Sequence, residues 1–141
     1  MFAMLLKHRL LAVLLGVAAM SAIGCGGGQY DNLGEVSGTI TLDGEPLKHA
    51  VITFQPTGGR PAYGKTGEDG KYRMMYTGSQ AGATVGMNSV TITNGGEKRD
   101  EETGKVWFQK EQVPAKYNSK TELEFDVQPG SQTHNFELKS K

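Results

Sequence analysis

Residues 35–47 decide the fold of this chain, and they read EVSGTITLDGEPL. Val36, Ile40 and Leu42 fall on one face of an extended strand, and polar residues fall on the other. This period of two is typical of a strand with one buried face. Asp43-Gly44 then interrupts the alternation, which predicts a tight turn followed by a returning strand.

Similar short patterns recur along the chain, always between turn signals. The predicted strands are residues 35–42, 50–55, 63–66, 71–76, 87–93, 121–127 and 133–138. Outside the first 24 residues no segment has the periodicity of a long amphipathic helix. Seven short strands separated by turns predict an all-β fold, a seven-stranded antiparallel Greek-key sandwich over residues 34–141.

A second tight turn is predicted at Asp69-Gly70, between two of these strands. Such a turn needs a positive φ, which glycine adopts without steric cost. We therefore expect residues 63–76 to form a hairpin, with Tyr72, Met74 and Tyr76 on one side.

The first 24 residues differ sharply from the rest. A basic segment containing Lys7 and Arg9 precedes an apolar run of eleven residues, 10–20, and small residues then lead to Cys25. This order is typical of a secretory signal, and the run is shorter than the ~20 residues that a membrane-spanning helix needs. We expect a helical signal peptide over residues 1–24 and a flexible, glycine-rich tether over residues 25–33.

The end of this leader, Ala22-Ile23-Gly24-Cys25, resembles the lipobox of bacterial lipoproteins. In a lipobox a small residue precedes a cysteine that is diacylated and becomes the new N-terminus; the usual leucine is Ala22 here. A lone cysteine is more often buried in a core, but Gly26-Gly27-Gly28 follows Cys25 and offers no core. The resemblance implies a membrane anchor of fatty-acyl chains on Cys25. Because Gly26 rather than aspartate comes next, it implies the outer membrane.

Turn and core residues of the predicted sandwich occur in a recognisable order. They are Gly38-Thr39-Ile40, Asp43-Gly44-Glu45-Pro46-Leu47, Ala50-Val51-Ile52, Thr66, Asp69-Gly70, Tyr72 and Val90-Thr91-Ile92. This order resembles the carboxypeptidase regulatory-like domains, and residues 113–118 (VPAKYN) resemble the ending of short planctomycete envelope lipoproteins. The resemblance implies a transthyretin-like (prealbumin-like) sandwich. Residues 85–88 (VGMN) depart from the Pro-Gly-x-Tyr that the family usually has there.

Charge and motifs narrow the functions open to the chain. It carries 15 basic and 15 acidic residues, so we expect no nucleic-acid partner. The motifs of hydrolases, zinc proteases and phosphate-binding loops do not occur in the sequence. His49 and His134 have no partner at metal-ligand spacing, and we place both at strand ends. We therefore expect no metal, no cofactor and no catalytic residues.

Three acidic residues, Glu122, Glu124 and Asp126, share one face of a predicted strand, about 7 Å apart. Carboxylates in this arrangement can bind Ca²⁺ or act as acid and base. The preferred interpretation is a solvated outer face whose charges discourage aggregation between strands.

Residues 94–112 predict a long solvated loop of mixed charge that contains the only tryptophan. Two interpretations of Trp107 and Phe108 stay open. The pair can contact a glycan or a protein partner, or it can pack the loop onto the core or add a short edge strand, which we favour. The expected function is a non-catalytic structural or protein-interaction module, lipid-anchored in the cell envelope. The alternative is a carbohydrate-binding module that uses these aromatic residues.

Overall fold

The computed structural model describes residues 30–141. The predicted signal-peptide helix, the lipobox residues Ala22, Ile23 and Gly24, and Cys25 lie outside this range. The strands are β1 (Leu33–Leu42), β2 (Glu45–Pro46), β3 (Val51–Pro56), β4 (Ala62–Lys65), β5 (Lys71–Arg73), β6 (Ala83–Thr84), β7 (Gly86–Thr93), β8 (Gly96–Arg99), β9 (Val106–Gln109), β10 (Glu124–Val127), β11 (Gly130–Thr133) and β12 (Phe136–Leu138). A single 3-10 turn, Ala115–Tyr117, is the one helical element of the described range.

Two sheets and a separate hairpin make up the architecture. The first sheet surrounds β1, which pairs with β2, β5, β6, β11 and β12. The second has the strand order β10-β7-β3-β4, and β8 pairs with β9 in the hairpin. The two sheets bury one shared core between them, so the prediction of an all-β sandwich is confirmed.

Each of the seven predicted strands overlaps an observed one, and five further strands, β2, β6, β8, β9 and β11, add to them. Within the first sheet, β1 runs antiparallel to β5 but parallel to β11 and β12, with Ile40 beside Phe136. The period-two pattern cannot indicate this direction, because it reads the same for a strand and its reverse. Direction follows instead from how the chain crosses from β10 back to the first sheet.

The two turns predicted from Asp-Gly pairs are both present, with different outcomes for their strands. Asp43 and Gly44 have φ values of 51° and 86°, as a two-residue hairpin turn requires, and β2 pairs back onto β1. The strands flanking Gly70 diverge instead, since β4 joins the second sheet and β5 the first. The two segments pair antiparallel at the isolated bridge between Tyr63 in β4 and Met75, which lies two residues beyond the end of β5, so the prediction of a regular hairpin over residues 63–76 is wrong.

Most side chains predicted to point inward form the core. The fully buried ones include Ile40, Ile52, Phe54, Met74, Val90, Ile92 and Val127. Leu123 and Phe125 are only half-buried and pack against the rim of the core. They precede or lie in β10, the edge strand of the second sheet, where one flank has no neighbouring strand to cover it.

Gly70 provides a test of the turn geometry. Its φ is 74°, and a Cβ atom there would lie 2.8 Å from the carbonyl oxygen of Ile40. We expect Gly70→Val to lower the free energy of unfolding by about 1–2 kcal/mol or more, because a left-handed backbone strains a β-branched residue. Gly78→Val is the control, since a Cβ at Gly78 meets no atom within 4 Å. Urea denaturation measures both, and equal losses would contradict the assigned turn.

Candidate functional site

Residues 94–112 form a hairpin rather than the solvated loop that the sequence predicts. β8 and β9 are antiparallel, with Lys98 opposite Trp107 and Glu97 opposite Phe108. One face of this hairpin is exposed and the other is only half-buried, so its sequence lacks the apolar alternation that marks a strand with one buried face. The favoured interpretation included a short edge strand, and Trp107 and Phe108 do lie in a strand, although β9 pairs with β8 and not with the edge of either sheet.

Hydrogen bonds at the base fix the hairpin to the sandwich. The Glu111 carboxylate accepts from the backbone N–H groups of Asn94 (3.0 Å), Gly95 (3.1 Å) and Val113 (2.9 Å). The buried Asn94 side chain donates to Gln112 Oε1 (2.9 Å) and accepts from the Gln112 N–H (2.9 Å). Because these groups are mutually satisfied, the hairpin leaves β7 in a defined direction.

The tip of the hairpin is closed by Asp100. Its carboxylate accepts from the N–H and the hydroxyl of Thr103 (2.6 and 2.8 Å) and from the N–H of Glu102 (3.0 Å). These bonds, chiefly those from Thr103, lower the pKa of Asp100 below its usual range. Asp100 is therefore a turn-forming carboxylate that stays ionised at neutral pH.

A cleft of about 700 Å³ lies between this hairpin and the sandwich. The sandwich side consists of residues 49–51 and 65–67, and the hairpin side of residues 97–101 and Trp107. This volume is within the ~300–1,000 Å³ typical of sites for small ligands. We call it the Trp107 cleft.

Trp107 and Phe108 face opposite sides of the hairpin, because successive side chains of a strand alternate. Trp107 is half-buried and lines the cleft. Phe108 is 80% exposed on the other side, where Val106 is 44% exposed. The two aromatic residues that the sequence suggests as one contact surface therefore belong to two different surfaces.

His49, on the sandwich side of the cleft, contacts Trp107 on the hairpin side. The two rings meet edge to face, with centroids 5.5 Å apart. His49 Nε2 lies 3.0 Å from Glu68 Oε1, and Lys48 Nζ lies 3.0 Å from Glu68 Oε2. The Lys48 contact comes first among the causes that lower the pKa of Glu68. His49 also has a φ of 54°, a left-handed conformation that is uncommon outside glycine and is enriched at functional sites.

Thr66 holds the floor of the Trp107 cleft. It is 5% exposed; its hydroxyl donates to the Leu47 carbonyl (2.6 Å) and accepts from the Ala50 N–H (2.8 Å). Its own N–H donates to the Ala50 carbonyl (2.9 Å). These bonds tie the segment before β3 to the segment after β4, so the floor is rigid.

The charges around the Trp107 cleft are balanced. Its basic lining residues are Lys65, Lys98 and Arg99, and its acidic ones are Glu97, Asp100 and Glu101. Burial lowers the pKa of Lys98. Residues 30–141 contain no group of three or more histidine, cysteine or acidic side chains that could hold a metal ion. The cleft thus combines one aromatic side chain with a rim of donors and acceptors.

The other residues that the sequence singles out lie away from this cleft. His134 follows β11 and packs between Phe125 and Phe136, with ring centroids 4.5 and 4.6 Å away, and burial lowers its pKa. Its carbonyl accepts from the Tyr72 hydroxyl (2.7 Å). Glu122, Glu124 and Asp126 are exposed, as the preferred interpretation of a solvated face expects.

Three residues of the site carried no sequence signal. Glu111, Glu68 and Asn94 act through contacts with residues distant in the chain or across a hairpin that the sequence did not predict. In the sequence of a charged segment, a polar residue that hydrogen-bonds to the backbone cannot be distinguished from one that faces water.

Comparisons with known proteins add little. No family model and no curated protein sequence matches the chain. Among solved structures, a 9R-lipoxygenase from Cyanothece PCC8801 is similar at a TM-score of 0.39 and 12% identity, over 77% of this chain and 16% of the lipoxygenase chain. The chain thus corresponds to about a sixth of the length of that enzyme, and a similarity this low carries no argument. Between residues 30 and 141, no helix has the length and apolar character needed to cross a membrane.

Thr66 offers a test of the cleft floor. We expect Thr66→Val to lower the free energy of unfolding by about 2 kcal/mol, because the Leu47 carbonyl and the Ala50 N–H would stay buried without this partner. Thr66→Ser keeps the hydroxyl and loses one methyl group, so its cost should stay near ~0.8 kcal/mol or below. Chemical denaturation compares the two, and a larger loss in Thr66→Ser than in Thr66→Val would mean that packing rather than hydrogen bonding holds the floor.

Proposed function

We propose that this chain is a non-catalytic lipoprotein of the cell envelope whose β-sandwich binds a carbohydrate near a membrane. The signal-peptide pattern of residues 1–24 and the lipobox-like residues 22–25 support export and acylation of Cys25. Gly26 directly after the cysteine supports the outer membrane. Residues 25–141 carry 13 basic and 15 acidic side chains, a balance that offers no attraction to anionic lipid, so the acyl chains must hold the protein.

The position of Trp107 carries the carbohydrate part of the proposal. The sequence alone favours packing of its loop onto the core or a short edge strand. The place of Trp107 in the wall of a cleft of about 700 Å³ favours recognition instead. An indole supplies a large, rigid apolar surface against which the C–H face of a sugar ring can pack.

The rim of the Trp107 cleft suits a polyhydroxylated ligand. Lysine and arginine side chains only donate hydrogen bonds, and ionised carboxylates only accept them. Lys98, which lies opposite Trp107 on the same face of the hairpin, and Glu101 at the hairpin tip thus offer both kinds of partner to hydroxyl groups, which donate and accept. Because its lining carries three basic and three acidic residues, the Trp107 cleft has no strong electrostatic preference for an anion or a cation.

The environment of Asp100, one of the three carboxylates that line the cleft, favours a structural role over acid catalysis. A general acid needs a raised pKa, as in glycosidases. The pKa of Asp100 is lowered instead, because Thr103 donates to its carboxylate. The Oδ1 atom of Asp100 also accepts the three hydrogen bonds that close the hairpin turn.

Contact with another envelope protein is a second candidate function, and the outer face of the hairpin favours it. Phe108 is 80% exposed and Val106 is 44% exposed on that face. Exposed aromatic side chains of this kind are common anchors of protein interfaces. This surface is separate from the Trp107 cleft, so single variants distinguish the two functions.

Trp107→Ala and Phe108→Ala form the matched test. We expect Trp107→Ala to weaken binding of neutral oligosaccharides about tenfold or more, the equivalent of about 1.4 kcal/mol, because the cleft loses its stacking surface. Phe108→Ala should leave this binding unchanged. A glycan array with neutral tetrasaccharides of glucose, xylose and N-acetylglucosamine selects the probe, and calorimetry measures its affinity.

Thermal unfolding of both variants is the control for folding. If Trp107→Ala lowers the unfolding midpoint but leaves sugar binding intact, Trp107 is a packing residue and the proposed carbohydrate site is wrong. If Phe108→Ala alone abolishes capture of a protein from envelope extracts, and no tetrasaccharide binds, the second candidate function replaces the first.

Cys25→Ser tests the anchor. We expect the variant to move from the membrane fraction to the soluble fraction, because serine cannot form the thioether that carries the diacylglycerol. Ser21→Ala, which keeps the cysteine, is the matched control and should stay with the membrane. Immunoblots of fractionated cells measure the distribution. Membrane retention of Cys25→Ser would contradict lipid anchoring.

A further inference from the structure

A second cleft, of about 490 Å³, lies on the outside of β4 and β5. Its basic and aromatic lining residues are Arg60, Tyr63, Lys65, Arg73 and Tyr76, and Met75 adds apolar surface. No aspartate or glutamate of the described range lines it. We call it the basic cleft, and its composition contrasts with the balanced charge of the Trp107 cleft.

Aromatic contacts orient the basic cleft. The Arg60 guanidinium carbon lies 5.5 Å from the centroid of the Tyr76 ring, and Tyr30 packs edge to face on the same ring at 5.7 Å. A guanidinium stacked on an aromatic ring keeps its N–H edges free for a bidentate anion. Tyr63 is 50% exposed, so it presents a ring surface beside these donors.

The positive charge of the basic cleft is only partly compensated. Arg73 pairs with Glu35, Nη2 to Oε2 at 2.9 Å, and both side chains are more than half exposed. Among residues 30–141, Arg60 and Lys65 form no ion pair. Three basic side chains around one concavity repel one another, and an anion bound between them relieves this repulsion.

Lys65 connects the two clefts, because it lines both. Tyr63 and Lys65 are the exposed residues of β4, which alternates buried and exposed positions. A chain-like ligand that leaves the Trp107 cleft along the outside of β4 therefore meets Lys65 first and Tyr63 next. One ring surface, Tyr63, and one basic group, Lys65, thus lie next to each other on the exposed face of β4.

We propose that the basic cleft binds the carboxylate or sulfate group of an acidic polysaccharide whose neighbouring sugars occupy the Trp107 cleft. This inference rests on the proposed carbohydrate binding and names its ligand class. Charge complementarity requires an anionic group, and Tyr63 and Trp107 match the pyranose rings on either side of it. A polyglutamate peptide would pair with the cations but has no ring to place on these two side chains.

Calorimetry of the folded, leaderless protein with four probes tests the inference. The probes are hexagalacturonate, its fully methyl-esterified neutral form, a sulfated carrageenan hexasaccharide and hexaglutamate. We expect hexagalacturonate to bind about tenfold tighter than its methyl ester, a preference that weakens as salt rises because exposed charges are screened. Comparison of the carrageenan hexasaccharide with hexagalacturonate shows whether sulfate or carboxylate is the preferred anionic group. Binding of either acidic sugar more tightly than the neutral methyl ester supports the proposal.

Two matched double variants test whether the preference for the acidic sugar arises in the basic cleft. The double variant Arg60→Gln/Arg73→Gln, whose two residues line only the basic cleft, should lose the preference for the acidic sugar and keep the affinity for the methyl ester. Lys110→Gln/Lys120→Gln removes the same charge from exposed residues that line neither cleft, and it should keep the preference. Equal losses in both double variants would show a general effect of net charge and overturn the proposal.

The remaining outcomes separate this inference from the proposed function. Equal affinity for hexagalacturonate and its methyl ester would overturn the basic cleft as an anion site and leave carbohydrate binding intact. Hexaglutamate binding as tightly as hexagalacturonate would assign the cleft to acidic peptides and overturn the inference. If no saccharide binds, while thermal unfolding shows a folded protein, the proposed function fails and the inference fails with it.

Discussion

The structure depends on the close approach of the C-terminal segment to β1. Gly38 lies where this segment crosses, and a Cβ atom at Gly38 would overlap the carbonyl of His134. The missing side chain lets His134 donate its N–H to the Ser37 carbonyl (2.8 Å) and lets β12 pair with the second half of β1. β1 is thereby paired along both edges, so the strand that begins the fold also becomes its centre.

The core follows from this central strand. Ile40 on β1 and Phe136 on β12 are neighbours in the first sheet, and Phe54 of the second sheet meets Phe136 at 6.4 Å between ring centroids. Burying these apolar side chains is the main favourable term in folding. Packing of these side chains between the two sheets also sets how the sheets lie relative to each other. The start of β3 and the end of β4, which border the Trp107 cleft, are positioned by this packing.

Both clefts are consequences of where β4 lies. Tyr63 and Lys65 alternate with buried residues along β4 and lie on its exposed outer face, and the end of the strand at Lys65 leads to Thr66 at the floor of the Trp107 cleft. The hairpin of β8 and β9 then supplies the opposite wall, fixed at its base by Glu111. A rigid sandwich that positions variable side chains at strand ends is a common way to build a binding site.

The sequence by itself determined the fold class, the positions of the seven main strands and the inward faces of residues such as Ile52, Phe54 and Ile92. It could do so because burial on one face of a strand imposes a period of two that local sequence records. Only the tertiary structure decided the parallel pairing of β1 with β12, the hairpin at residues 96–109, and the division of Trp107 and Phe108 between two surfaces. Strand direction and contacts between residues such as His49 and Trp107 depend on how distant segments meet in space, and no local pattern of residues carries that information.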